Sequence, residues 1–169
     1  ASQKSHAQPK IDSLLNLITP EISDSLKAQY YSDIARLYNS NDSAIKYTLL
    51  SLDYYNVPEA ILTAQNYYYL ASNYYMIDES QAALKYLLTA IDIFKKNDSM
   101  LELARAYSML GSCYEDFNNI DSALYYVNKS LEINIRQNDT AEMAATYCNL
   151  GRLNTNLGFY ESAEDYFFM

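Results

Sequence analysis

The chain has 169 residues, half of them hydrophobic, and a formal net charge of -9. That is enough apolar material for one folded domain of ordinary size. The twelve basic against twenty-one acidic residues exclude a general nucleic-acid binder, whose affinity comes mostly from neutralising phosphates. No apolar run reaches the ~18 residues of a membrane span, so this segment is not expected to insert in a bilayer. A single histidine, His6, and two separated cysteines offer neither a transition-metal cluster nor a disulfide framework, and no cofactor is called for.

Residues 1–9 are polar and unpatterned and read as a flexible leader. The chain has no initiator methionine and no signal sequence, which leaves a processed exported product and a trimmed chain equally open. Residues 10–19 carry Ile11, Leu14, Leu15, Leu17 and Ile18 at helical spacing and end at Thr19-Pro20. They are expected to form a short helix that caps the first repeat.

From there one phrase repeats. Tyr31-x-x-Ile34-Ala35-x-x-Tyr38 returns as Tyr67-x-x-Leu70-Ala71-x-x-Tyr74, as Tyr107-x-x-Leu110-Gly111-x-x-Tyr114, and as Tyr147-x-x-Leu150-Gly151-x-x-Asn154. A second phrase comes after each copy, around Ala44 and Tyr47, Ala83 and Tyr86, Ala123 and Tyr126, Ala163 and Tyr166. Both have the i, i+3, i+4, i+7 spacing of one helix face. The period across the last three copies is 40 residues, and a fixed period of this size predicts a solenoid. Each unit reads as two antiparallel helices, A and B, with small residues at the seams so that the pair can approach closely.

The unit boundaries are expected near residues 24–57, 58–97, 98–138 and 139–169, the last incomplete, within a repeat domain spanning residues 20–169. The first unit has the shorter turn, nine residues from Ala35 to Ala44 against twelve from Ala71 to Ala83. Pro58 fits a first helical turn. Asp42, Asp78, Asp98, Asp121 and Asp139 are expected as N-caps, since a carboxylate there accepts orphan N–H bonds. Twelve of the nineteen tyrosines fall on repeat positions or the Tyr160 turn. Cys113 and Cys148 are expected as buried or half-buried thiols.

This arrangement resembles the tetratricopeptide repeat, in which an aromatic, Leu-Gly or Leu-Ala, and Tyr mark helix A, and Ala, an aromatic and a small residue mark helix B. Tyr107, Leu110, Gly111, Tyr114, Ala123, Tyr126 and Ser130 match it best. The fourth unit departs with Asn154 but keeps Gly158 and Tyr160 in the inter-helix turn. The usual period is ~34 residues, so the extra residues are expected to lengthen both helices. The resemblance implies an all-α, right-handed α-α superhelix of about four helix pairs.

It also implies a concave groove lined by helices A. Carried over, the groove is Gln29, Ser32, Arg36 and Asn39; Gln65, Tyr68, Ser72 and Tyr75; Arg105, Ser108, Ser112 and Glu115; Cys148, Asn149, Arg152 and Thr155. The residues singled out for binding are Arg36, Asn39, Gln65, Tyr68, Ser72, Tyr75, Arg105, Ser108, Ser112, Asn149 and Arg152. Three of the chain's four arginines fall here, which suggests a partner presenting carboxylates, since the guanidinium fork bonds a carboxylate in two places. The competing reading is local salt bridges with Asp33, Glu115 or Asp116, which repeat surfaces make often.

Nothing suggests catalysis. There is no Gly-rich phosphate loop and no nucleophile paired with a histidine. The expected function is a non-catalytic protein- or peptide-binding module acting as scaffold or adaptor. The alternative is the sensory or regulatory region of a larger bacterial signalling protein, with a histidine kinase or DNA-binding output domain beyond Met169. Self-association is a third possibility. The chain stops inside helix B at Tyr166, Phe167 and Phe168, so a longer native chain or a second subunit is expected to cover that aromatic edge.

Overall fold

In the computed structural model, residues 7–168 are described, and nearly all outside short connections are helical. Residues 1–6, with His6 and most of the expected leader, lie outside the described residues, as do Met169 and the side chains of Glu161 and Phe167. Helix α1 (Gln8–Leu17) precedes four helix pairs: α2 (Asp24–Leu37) and α3 (Asn41–Tyr54), α4 (Ile61–Met76) and α5 (Ser80–Lys96), α6 (Met100–Asp116) and α7 (Ile120–Gln137), α8 (Thr140–Asn156) and α9 (Tyr160–Phe167). The all-α repeat class expected from the sequence is the class found. Helix α1 begins two residues earlier than the spacing suggested, because Pro9 fits its first turn, where a missing N–H costs nothing.

The turns are more regular than the repeat phrase. Asp78, Asp98, Asn118, Asn138 and Gly158 all have positive φ, between 54° and 78°, and they fall 20 residues apart. At each, two backbone bonds close the preceding helix. Asn118 N–H donates to Glu115 at 2.8 Å and Asn119 N–H to Tyr114 at 2.9 Å, and the same pair recurs from Asp78 to Gly158. This is the Schellman motif, and Asn, Asp and Gly are the residues that tolerate the left-handed conformation. Asp78 and Asp98 therefore end helices rather than capping the next. Among the described residues, Asp139 alone of the expected caps accepts a first-turn N–H, from Glu142 at 3.1 Å. Asn119 does this for α7, and Asp42 and Asp121 lie inside first turns, where a negative charge still favours the helix dipole. The short connection after α2 has no left-handed residue, and Pro58 lies in the connection ahead of α4 rather than in the helix.

The residues divide into two compact units, Ala1–Tyr86 and Leu87–Met169. In the first, Ile11 anchors α1 against α2, and Ala28, Ile34, Ala35, Ala44, Ala64, Leu70 and Ala71 fill the centre. A polar key is buried among them. Ser51 donates to the Ala28 carbonyl at 2.7 Å, Asn66 donates to Ser51 at 2.7 Å, and Ser32 donates to Asn66 at 2.8 Å. Each of these side chains has a partner, which offsets the cost of taking it out of water.

In the second unit the centre is Phe94, Leu103, Leu110, Ala123, Val127, Leu150 and Leu153. The repeat tyrosines stack between the two helices of a pair. Tyr114 and Tyr126 have centroids 5.5 Å apart, and Tyr147 and Tyr166 are 6.3 Å apart. The first unit has the same stacks in Tyr38–Tyr47 and Tyr74–Tyr86. Burial raises the phenols of Tyr31, Tyr38, Tyr74 and Tyr126 above the ordinary range. Tyr126 is also flanked by Tyr114 and Tyr125, which add to the effect of burial.

Candidate functional site

The residues singled out for binding fall in both units, and each set is described by itself. In the first unit Gln65, Tyr68, Ser72 and Tyr75 are half-buried along one face of α4, as their spacing requires. Arg36 projects from the last turn of α2 and is 39% exposed. Its guanidinium lies 5.9 Å above the ring of Tyr69, whose hydroxyl donates to the Ala35 carbonyl at 3.1 Å. Arg36 also faces Asp33 at 3.7 Å. That is an ion pair but too long for a hydrogen bond. Asp33 accepts from Gln29 at 3.0 Å instead.

Two expected positions are displaced. Asn39 lies in the bend after α2, because the helix ends at Leu37. Ser32 is buried in the polar key and does not line an open face.

In the second unit the side chains of α6 and α8 meet in three polar rungs. Arg105 bonds Glu142 at 2.7 Å, Asn149 donates to Ser108 at 2.9 Å, and Arg152 bonds Glu115 closely. Asn156 donates to the other oxygen of Glu115 at 2.6 Å. The arginines here remain about half exposed, while Glu115 is only 10% exposed. Ser112 is half-buried on the same helix, between the positions of Ser108 and Glu115. Arg105 and Arg152 thus join neighbouring repeats through carboxylates, and the local salt bridge considered for Glu115 is present. Sequence reasoning misses Glu142 as the partner of Arg105, because it lies 37 residues away, one period less nearly a helical turn.

The cysteines differ. Cys113 is buried beside the α6 seam, and burial pushes its thiol up to about 11. Cys148 is exposed, contrary to the expectation for both. Among the described residues no helix is long and apolar enough to cross a membrane.

The family model described as the SusR N-terminal TPR domain matches residues 93–168. None of the curated proteins matches the sequence. Solved structures do. BtubC (BKLC) from P. vanneervenii superposes with a TM-score of 0.77 at 24% identity, over 95% of this chain and 67% of that one. A Rap protein complexed with Competence and Sporulation Factor gives 0.80 at 20% identity, over 94% of this chain and 45% of that one. The signal transduction ATPase PH0952 from Pyrococcus horikoshii, described as having a tetratricopeptide repeat sensor, gives 0.81 at 19%, over 95% of this chain and 25% of that one. This chain therefore spans less than half the length of the last two, and at these identities the likeness concerns the fold. The repeated phrase, the helix pairs it forms and these matches agree: the chain has the tetratricopeptide repeat fold, and the family model itself matches residues 93–168.

Proposed function

We propose that the protein is a non-catalytic binding module, a scaffold or adaptor that takes a protein or peptide segment along the faces of its A helices. The observation that carries this reading is the open polar seam of α6 and α8. Side chains there reach from one A helix to the next and stay half exposed, so the face is ordered without being covered. Ordered polar and aromatic groups at a surface lower the cost of fixing a partner. In the first unit Arg36, Gln65, Tyr68, Ser72 and Tyr75 are the proposed contacts. In the second they are Arg105, Ser108, Ser112, Asn149 and Arg152, with Asn39 at the rim of the first. The Rap structure, whose fold is similar, holds the Competence and Sporulation Factor, which supports a binding role for this architecture.

The test is capture of partners by the wild-type chain and by Tyr68→Ala/Tyr75→Ala, followed by titration of whatever is captured. A partner that binds both forms equally overturns the groove. A second reading, the sensory region of a larger signalling protein, is favoured by the match to a domain described as N-terminal and by the repeat sensor of PH0952. A kinase or DNA-binding domain encoded beyond Met169 would select it.

A further inference from the structure

Three tyrosines are exposed among the described residues, and two of them carry a cation of their own. Lys27 lies 5.3 Å above the ring of Tyr54, and Lys129 lies 5.8 Å above that of Tyr125. Both distances are within the reach of a cation–π contact. Tyr160 is the most exposed of the three, at 70%, and no cation of the described residues stands over its ring. The sequence supplies none nearby. Residues 153–169 hold three acidic residues and no basic one, and Arg152 is engaged with Glu115.

Tyr160 belongs to an apolar edge. Phe159 beside it is 58% exposed, and Leu157 is exposed in the same turn. With Gly158 and Ser162, the two rings line an open cavity of about 480 Å³. In the preceding A–B turn the place of Phe159 is held by Asn119, whose side chain caps α7 by accepting from Ser122 N–H at 3.2 Å. Phe159 makes no such bond at the start of α9, so this turn gives up a cap and places a ring in water. Glu164 lies one helical turn beyond Tyr160 on the same face, and Asp165 follows it. Both are exposed and have no ion pair among the described residues.

We propose that the α8–α9 turn docks a basic amphipathic segment of another protein. Its apolar side chains pack against Phe159 and Leu157, one lysine or arginine lies over Tyr160, and a second meets Glu164 and Asp165. Charge decides against the other occupants. A second copy paired face to face would set these carboxylates against their own counterparts, and an anionic lipid surface would be repelled in the same way. The site lies off the faces of the A helices, so it stands independently of the binding reading above.

The probe is a fluorescein-labelled peptide of leucine and lysine at helical spacing, about four turns long. It is titrated by anisotropy with the whole 169-residue chain in ~0.15 M salt. Saturable binding is expected, weakened about tenfold by Phe159→Ser/Tyr160→Ser and by Glu164→Lys/Asp165→Lys. Replacing the lysines of the probe by glutamate, or its leucines by serine, should weaken it as much. All four substituted side chains are exposed, so neither variant removes a core contact. Equal binding by Phe159→Ser/Tyr160→Ser overturns the proposal, since charge alone then attracts the probe. Full binding of the glutamate peptide overturns it, as does no binding at ~1 mM probe. Binding lost in Tyr68→Ala/Tyr75→Ala but kept in both turn variants overturns it and places the probe in the groove. Sedimentation that shows wild-type dimers and a monomeric Phe159→Ser/Tyr160→Ser variant assigns the edge to a second copy and overturns it as well.

Discussion

Val127 occupies the space that a side chain at position 111 would need. A β-carbon built on Gly111 would meet Val127 Cγ2 at 2.4 Å and the Ala123 carbonyl oxygen at 3.1 Å. Helices α6 and α7 are this close because the repeat places a residue without a side chain on one and Ala123 on the other. Val127 is β-branched and turns poorly about χ1, so it cannot simply swing aside. Gly111→Ala gains about 0.5–1 kcal/mol of helix propensity and loses about 1–3 kcal/mol to overpacking. A net loss is expected in urea denaturation. Adding Val127→Ala should recover part of it, so the double variant should lose less than the two single losses combined.

The buried key around Asn66 gives a second expectation. Asn66→Ala leaves the Ser32 hydroxyl with no acceptor from that side chain, at a cost of about 1–3 kcal/mol. Ser32→Ala together with Asn66→Ala should cost less than the two changes separately, because the orphaned groups leave together. Strict additivity in a double-mutant cycle would show that the key contributes no coupling energy.

The α6–α8 rungs should matter little for stability. Arg105→Gln and Arg152→Gln are each expected to lower it by less than about 1 kcal/mol, since both guanidiniums are about half exposed. Their melting curves should overlay the wild type in high salt, where surface pairs are screened. A larger loss that survives high salt would mean that the rungs hold the two repeats together.

Alkali should unfold the protein through groups that burial keeps protonated. A thiol or phenol whose folded value is raised adds stability that is intact below its unfolded value and lost as pH rises through the folded one. For Cys113 that window runs from the ordinary 9.0 to about 11. For Tyr31, Tyr38, Tyr74 and Tyr126 it begins at 10.0 and extends upward. Stability measured by urea titration should therefore be flat just below pH 9.0 and fall above it. Near neutral pH a thiol reagent should modify Cys148 quickly and reach Cys113 only on unfolding.

The repeat is legible because its small and aromatic residues do packing work that recurs in every unit. The rings of Tyr107 and Tyr126 meet as those of Tyr31 and Tyr47, Tyr67 and Tyr86, and Tyr147 and Tyr166 do, and Gly111 and Ala123 are buried as Ala35, Ala71, Ala44 and Ala83 are, so the pattern survives in the sequence. The turns are half legible. Asp78 and Asp98 read as caps because helix caps and left-handed turn positions favour the same short polar residues. Burial of Ser32 is hidden because its cover, Asn66, is itself polar and lies in another repeat. The partners of Arg105 and Arg152 depend on offsets of 37 residues between helices, which no local pattern records, and of the two only Glu115 is among the candidates the sequence offers.

The 20-residue spacing of the left-handed turns restricts how this chain can change in length. One residue inserted within α6 would rotate everything after it by about 100° about that helix, taking Leu110 or Gly111 off its seam. Removing a forty-residue block that runs from one left-handed position to the next equivalent one keeps every later residue on its face. Length variation among homologues should therefore come in whole helix pairs, with smaller insertions confined to the connection at residues 55–60, whose left-handed Glu59 falls 19 rather than 20 residues before Asp78.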